Sequence, residues 1–234
     1  MSKVLAVVLS SGGLDSTTAV GLAFAIYGKD NVVTISVSYG QKHDKELKCA
    51  EDVANYYGVK HMEIDLSEMY KYSNCALLAN STDKINHGSY AEQIAENETV
   101  NTYVPFRNGL MLSSVATIAS SLIEGTDYEQ AVIMIGAHKD DVAGNAYADC
   151  SLQFILSMGR AISLGTYHKV KISAPFIEMS KAGIVEQGLS MNVPYHLTWS
   201  CYEGGEEACG TCGTCIDRLK AFEKNNATDP IKYK

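Results

Sequence analysis

The chain has 234 residues, 46% apolar and 20% charged, with a net charge of −8. That length allows one domain or one and a half, enough to bury most of the surface that its unfolded form exposes. The acidic balance excludes a general nucleic-acid-binding surface. No apolar run approaches the roughly 18 residues of a membrane span, and the absence of a basic leader with a cleavage site makes the expected location cytoplasmic.

In chain order, the apolar, β-prone run Val4–Leu9 reads as a strand that breaks into Ser10, Ser11, Gly12 and Gly13 before a helix over 16–27. A β-branched stretch at 32–37 gives a second strand, followed by Ser38-Tyr39-Gly40-Gln41 and a charged helix over about 43–57. Residues 61–64 form a short third strand. The polar, poorly periodic segment 66–103 reads as an excursion, an active-site flap ordered by ligand. Helical periodicity resumes over 109–122, and 131–135 is a buried strand ending at Gly136-Ala137-His138. Helices over 151–164 and 180–189 flank a strand at 170–174. Strands alternating with helices predict an α/β fold with a doubly wound parallel sheet. Ligands then sit at the carboxyl ends of the strands, where the loops at 10–16, 38–41 and 136–138 converge.

The first loop carries the strongest chemical signal. Gly12 and Gly13 let a backbone approach a ligand closely. Ser11, Asp15 and Ser16 place hydroxyls and a carboxylate at a helix N-terminus, where unpaired N–H groups and the helix dipole favour an anion. No Lys follows the glycines, which excludes the G-x-x-x-x-G-K-[ST] phosphate loop. Asp15 either orients Mg2+ or caps the helix. Near the other end, Cys201, Cys209, Cys212 and Cys215 fall within fifteen residues, interleaved with Gly204, Gly205, Gly210 and Gly213. Four thiolates at C-x2-C spacing close a tetrahedral shell around a structural Zn2+. A four-cysteine iron–sulfur cluster is the rival. Cys49, Cys75 and Cys150 are scattered, and Cys150 reads as a packed thiol rather than a nucleophile, with no activating partner in sequence.

S-G-G-x-D-S at 11–16 is the signature of the PP-loop enzymes, which split ATP between its α- and β-phosphates. Three further segments narrow the resemblance: Tyr39-Gly40-Gln41-Lys42-His43, Thr102-Tyr103-Val104-Pro105-Phe106-Arg107-Asn108, and Leu197-Thr198-Trp199-Ser200-Cys201-Tyr202 opening the cysteine cluster. With them the chain resembles the 7-cyano-7-deazaguanine synthase family over nearly its whole length. The resemblance implies a nucleotide-binding catalytic domain at 1–195 and a four-cysteine segment at 196–234 packed on it. It implies ATP, Mg2+ and Zn2+ as cofactors, 7-carboxy-7-deazaguanine and ammonia as substrates, a homodimer, and no direct nucleic-acid partner. The implied reaction adenylates the acid, forms an amide, activates the amide again and expels AMP to leave a nitrile. The alternatives are a related ligase that adenylates another carboxylate or transfers it to a different amine, and a zinc-stabilised nucleotide-binding regulator without turnover.

By that resemblance Ser10, Ser11, Gly12, Gly13, Leu14, Asp15, Ser16, Thr17, Tyr39 and Gly40 bind ATP. Ser11, Asp15, Ser16, Arg107 and Lys181 carry the catalytic work. Gln41, His43, Arg107, Asn108, His138, Asp141 and Asp149 meet the acid substrate. The segment 136–151 departs from the family pattern: two residues are inserted after Gly144, Ala148 stands for Pro and Ser151 for Arg.

Overall fold

A computed structural model describes residues 3–89, 93, 100–145 and 147–234. Five parallel strands make one sheet, β1 (Val4–Leu9), β2 (Val32–Ser38), β3 (Lys60–Asp65), β4 (Gln130–Met134) and β5 (Val170–Ser173), in the order β3-β2-β1-β4-β5. The helices are α1 (Leu14–Tyr27), α2 (Lys45–Tyr57), the single turn α3 (Ser67–Tyr70), α4 (Arg107–Ile123), α5 (Leu152–Gly165), α6 (Lys181–Ser190) and α7 (Gly213–Lys224). This is the doubly wound arrangement that the alternation of strands and helices predicts.

The period of two in β1 sorts its side chains into two cores. Leu5, Val7 and Leu9 face a layer with Ile133 of β4, Leu112 and Val115 of α4, and Ile155 of α5. Ala6 and Val8 face the opposite layer with Val20 of α1, Ile184 of α6 and Phe222 of α7. A central strand covered on both faces reads as an unbroken apolar run, whereas β3 at the edge alternates. The order reverses beside β1, whose neighbours are β2 on one side and β4 on the other. The loops after β1, β2 and β4 therefore open onto one crevice.

Two sequence expectations change. The segment after β3 is not uniformly polar surface: Tyr70, Cys75, Leu77 and Leu78 form a small core with Tyr39 and Val104. Farther along, His87 and Gly88 dock on the cysteine loop, the His87 ring against Thr211 Oγ1 at 2.8 Å and the Gly88 N–H donating to the Thr211 carbonyl at 3.1 Å. Whether the remainder forms a flap concerns residues 90–92 and 94–99, which lie outside the described residues. The second change is α7, a helix that the sequence reading did not anticipate. Its inward stripe is Cys215, Arg218, Ala221 and Phe222, and the arginine in that stripe disguises a core-facing helix.

Arg218 is fully buried and fully engaged. It donates from Nε and Nη2 to both oxygens of Asp229 at 2.6 and 2.9 Å, and from Nη1 to Thr198 Oγ1 at 2.7 Å and Ser200 Oγ at 3.2 Å. Nη2 also reaches the Tyr195 carbonyl at 3.3 Å. One guanidinium thus joins α7, the chain end and the segment leading into the cysteines. A bidentate pair of this kind is geometrically demanding, and removing one partner strands a buried charge. Asp229→Ala is therefore expected to lower unfolding free energy by about 3–5 kcal/mol, read from urea denaturation; a change below about 1 kcal/mol would remove Arg218 from this role.

Candidate active site

The crevice is a cavity of about 230 Å³ walled by the loops after β1, β2 and β4 and by the first turns of α2, α4 and α6. Its floor is the 10–16 loop. The Ser16 hydroxyl accepts the Ser11 N–H at 3.1 Å and donates to the Gly13 carbonyl at 3.2 Å, while the Ser11 and Ser16 hydroxyls meet at 3.1 Å. Gly13 occupies the N-cap position with no side-chain cap, so the first N–H groups of α1 have no partner within the helix. The hydroxyls of Ser10 and Thr17 and Oδ1 of Asp15 are buried without a hydrogen-bond partner among the described residues. Unpaired donors and acceptors collected at a helix N-terminus suit a polyphosphate and its cation. Asp15 does not cap α1, which removes one of its two sequence readings.

Asp15 instead belongs to a charged quartet. Its Oδ2 lies 3.1 Å from Lys181 Nζ and 3.6 Å from His138 Nε2, and that nitrogen lies 3.3 Å from Asp141 Oδ1. The His138 contacts are at ion-pair distance but lack hydrogen-bond geometry. Burial alone would raise the Asp15 carboxyl; Lys181 and His138 outweigh it and hold the group far below the usual carboxylate range. Burial alone would lower His138, but Asp15 and Asp141 carry it above its ordinary value. Burial raises Asp141, with His138 and Lys181 opposing. Lys181 is placed by the start of α6, where its N–H donates to Asp140 Oδ2 at 2.8 Å and Ser180 caps the helix.

Across the cavity stands Arg107, the first residue of α4. Its guanidinium lies 5.5 Å from the Tyr39 ring centre, and among the described residues no carboxylate comes within ion-pair distance of it. Asp149 fixes the same helix start: its Oδ2 accepts the Asn108 N–H at 2.9 Å, and the Asn108 side-chain amide donates to the Asp149 carbonyl and to Cys150 Sγ, each at 3.2 Å. Burial pushes the Cys150 thiol up strongly, so it is packed and hydrogen-bonded rather than activated.

Of the residues read from sequence, Ser10, Ser11, Gly13, Leu14, Asp15, Ser16, Tyr39, Gln41, Arg107, Asn108, Asp141 and Lys181 line this one cavity. Others do not. Gly12 lies behind the loop, with φ +76° and with an added Cβ 2.1 Å from the Glu46 carbonyl oxygen. Thr17 is buried within α1, and Gly40 faces Ser67 in a separate shallow groove. His43 turns to the chain after the first cysteine, its Nε2 donating to the Tyr202 carbonyl at 2.9 Å. His138 and Asp149 stand behind the wall and hold wall residues in place. Ser151, where the family pattern has Arg, caps α5 by accepting the Phe154 N–H.

Sequence reasoning missed Glu46, Tyr147, Ser200, Tyr202 and Thr214, all of which line the cavity. The two tyrosine hydroxyls meet at 3.3 Å, and Tyr147 also reaches Thr102 at 2.8 Å. Burial lifts the Glu46 carboxyl to about 7, with Arg107 opposing and Cys201 adding to the rise. The available signal for Glu46 was its place in the first turn of the helix that follows the 38–41 loop.

The four cysteines form a second centre sharing this wall. Their sulfurs all lie within 4.8 Å of one another, and Cys209 and Cys215 are 4.0 Å apart. A tetrahedral metal–thiolate site places sulfurs about 3.8 Å apart for bonds of about 2.3 Å, so the donor set fits one metal ion. Backbone N–H groups of Cys209 and Cys212 already point at the Cys201 and Cys209 sulfurs at 3.3 Å.

The model of the family described as queuosine biosynthesis protein QueC matches residues 5–226. A protein of Oceanobacillus iheyensis carrying the name 7-cyano-7-deazaguanine synthase is 41% identical over 238 residues, covering 100% of both chains. A protein of the same name from Thermoplasma volcanium is 43% identical over 97% of this chain and 90% of its own. One from Pseudoalteromonas atlantica is 39% identical over 97% of each.

His138 yields a pH test. Its raised affinity for a proton stabilises the fold fully below its unfolded value of about 6.5, and the contribution is lost as pH rises through the higher folded value. The stability gap between wild type and His138→Gln should be largest below about pH 6.5 and shrink as the pH rises above it. Urea denaturation across a rising pH series checks this, and a gap that widens would reverse the assignment.

Proposed function

The chain belongs to the QueC family of queuosine biosynthesis proteins, and on that premise we propose that it converts 7-carboxy-7-deazaguanine and ammonia to 7-cyano-7-deazaguanine at the expense of ATP, working in the cytoplasm. The observation that carries the reading is the placement of the Arg107 guanidinium, with no carboxylate at ion-pair distance among the described residues, opposite an open helix start in one cavity. Such a site takes one anion at the loop and a second at the arginine, which are the two reactants of an adenylation.

A carboxylate is a poor electrophile, because its own charge repels nucleophiles. In the proposed reaction an oxygen of the acid attacks the α-phosphorus of ATP, and the bond to the β-phosphate oxygen breaks. Ser11, Ser16 and the open N–H groups of α1 receive the departing pyrophosphate, and Lys181 supplies positive charge where negative charge grows. Arg107 holds the acid for in-line attack, a contribution of position and charge rather than of covalent chemistry. Ammonia displaces AMP to give the amide. A second ATP activates the amide oxygen, and loss of AMP with the nitrogen-bound protons leaves the nitrile. Asp15 and the orphaned Ser10 hydroxyl would hold Mg2+, whose charge neutralises the polyphosphate. Cys201, Cys209, Cys212 and Cys215 would hold Zn2+ as a closed structural site.

Purified protein given ATP, ammonium and 7-carboxy-7-deazaguanine is expected to release two AMP per nitrile, read by chromatography and mass spectrometry. Arg107→Met should lower kcat/KM for the acid about 10- to 100-fold, the loss of one charge-assisted contact. Nitrile formation from no acid of this class would sink the reading.

Metal analysis should find one zinc and no iron per chain. Stripping the zinc should lower the melting temperature and expose the four thiols to a colorimetric reagent together, since binding and local folding are linked. A brown, iron-containing protein would replace zinc by a cluster.

A further inference from the structure

We propose that Glu46 receives the ammonium ion and takes the proton it must shed before it can attack the adenylated acid. The proposal rests on the reaction read above and adds a residue to it. Three carboxylates border or support the cavity besides Glu46, and each is occupied: Asp15 by Lys181, Asp141 by His138 and its N–H, Asp149 by the Asn108 N–H. Glu46 lines the same cavity, and no cation lies within ion-pair distance of it among the described residues. Arg107 faces it from α4 without forming a salt bridge to it.

Among the described residues, Arg107 and Glu46 line one cavity with no ion pair between them or to any other residue, an arrangement that suits two ligands of opposite charge. An apposed Arg and Glu would ordinarily close on each other; here each is left for something else. The acid and the polyphosphate answer the arginine, and a small cation answers the glutamate. Its position is suitable. The first turn of α2 packs directly against the 10–16 loop at Gly12, and the Glu46 side chain lines the cavity that this loop floors. Its other titratable neighbours are Tyr39 after β2, Cys201 on the cysteine segment and Cys49 on its own helix.

Ammonium has no lone pair. One N–H bond breaks, its electron pair stays on nitrogen, and the proton passes to a Glu46 oxygen. The ammonia so formed makes the C–N bond while the bond from acyl carbon to the adenylate oxygen breaks, and AMP departs with that pair. A second proton leaves the nitrogen for water, and the neutral amide remains.

The test separates adenylation from amide formation. Without ammonium, exchange of labelled pyrophosphate into ATP in the presence of 7-carboxy-7-deazaguanine reports adenylation alone. Glu46→Gln should keep that exchange within about twofold, yet form amide about 100-fold more slowly, with a raised half-saturating ammonium concentration. Glu46→Asp should recover part of the rate. An unchanged ammonium response in Glu46→Gln overturns the proposal. So does loss of exchange with the ATP-induced thermal shift intact, which would assign Glu46 to the acid. Loss of the thermal shift in both variants makes the residue structural and overturns it as well. If the wild type itself shows no exchange with this acid, the fault lies in the parent reaction and not in Glu46.

Discussion

A Cβ on Gly12 would lie 2.1 Å from the carbonyl oxygen of Glu46, 2.7 Å from the amide nitrogen of Ala50 and 2.9 Å from Cβ of Cys49. No side chain fits, and the positive φ there suits glycine alone. On its other side the Gly12 carbonyl accepts the N–H of Trp199 at 2.9 Å. One residue without a side chain thus brings together the 10–16 loop, the first turn of α2 and the chain entering the cysteine cluster. Glu46 on one flank and Ser200, Tyr202 and Thr214 on the other reach the cavity because those elements can close on this glycine.

The charges of the cavity fall into two groups with different physics. Asp15, His138, Asp141 and Lys181 neutralise one another behind and beside the loop, and the fold holds them there without ligand. Among the described residues, Arg107 and Glu46 form no ion pair with each other or with any other group. Keeping opposite charges apart at low dielectric costs stability, and such costs are characteristic of sites prepared for ligands. Catalysis by position and charge needs this preorganisation, since donors fixed in advance need no rearrangement as charge develops.

The cysteine centre is part of the same construction. His43 and Lys45 from the start of α2 bind the Tyr202, Gly205 and Glu206 carbonyls, and Lys45 sits 3.3 Å over the Trp199 ring. Arg218 ties the far side through Asp229, Thr198 and Ser200. A metal in the cysteines would therefore brace one wall of the cavity, and the buried arginine would brace the metal site from behind.

The central strands, their order of appearance and the ATP loop were legible because they depend on local patterns: apolar runs of fixed length, small residues at a turn, hydroxyls at a helix start. The cysteine spacing was legible for the same reason. Helix α7 was not, because the fully buried Arg218 occupies a core position that periodicity assigns to an apolar residue. His43 and Asp149 have the chemistry of substrate ligands, yet they hold backbone at Tyr202 and Asn108. Glu46 belongs in sequence to a charged helix, and Arg107, which shares its cavity, lies far along the chain. The sequence by itself determined the fold class, which follows from near-neighbour patterns, while the kind of bond broken in ATP came from the family resemblance that its motifs carry. Which charges are spent on one another and which remain for substrates was decided by tertiary structure, because pairing is a matter of distance in space and carries no mark in sequence separation.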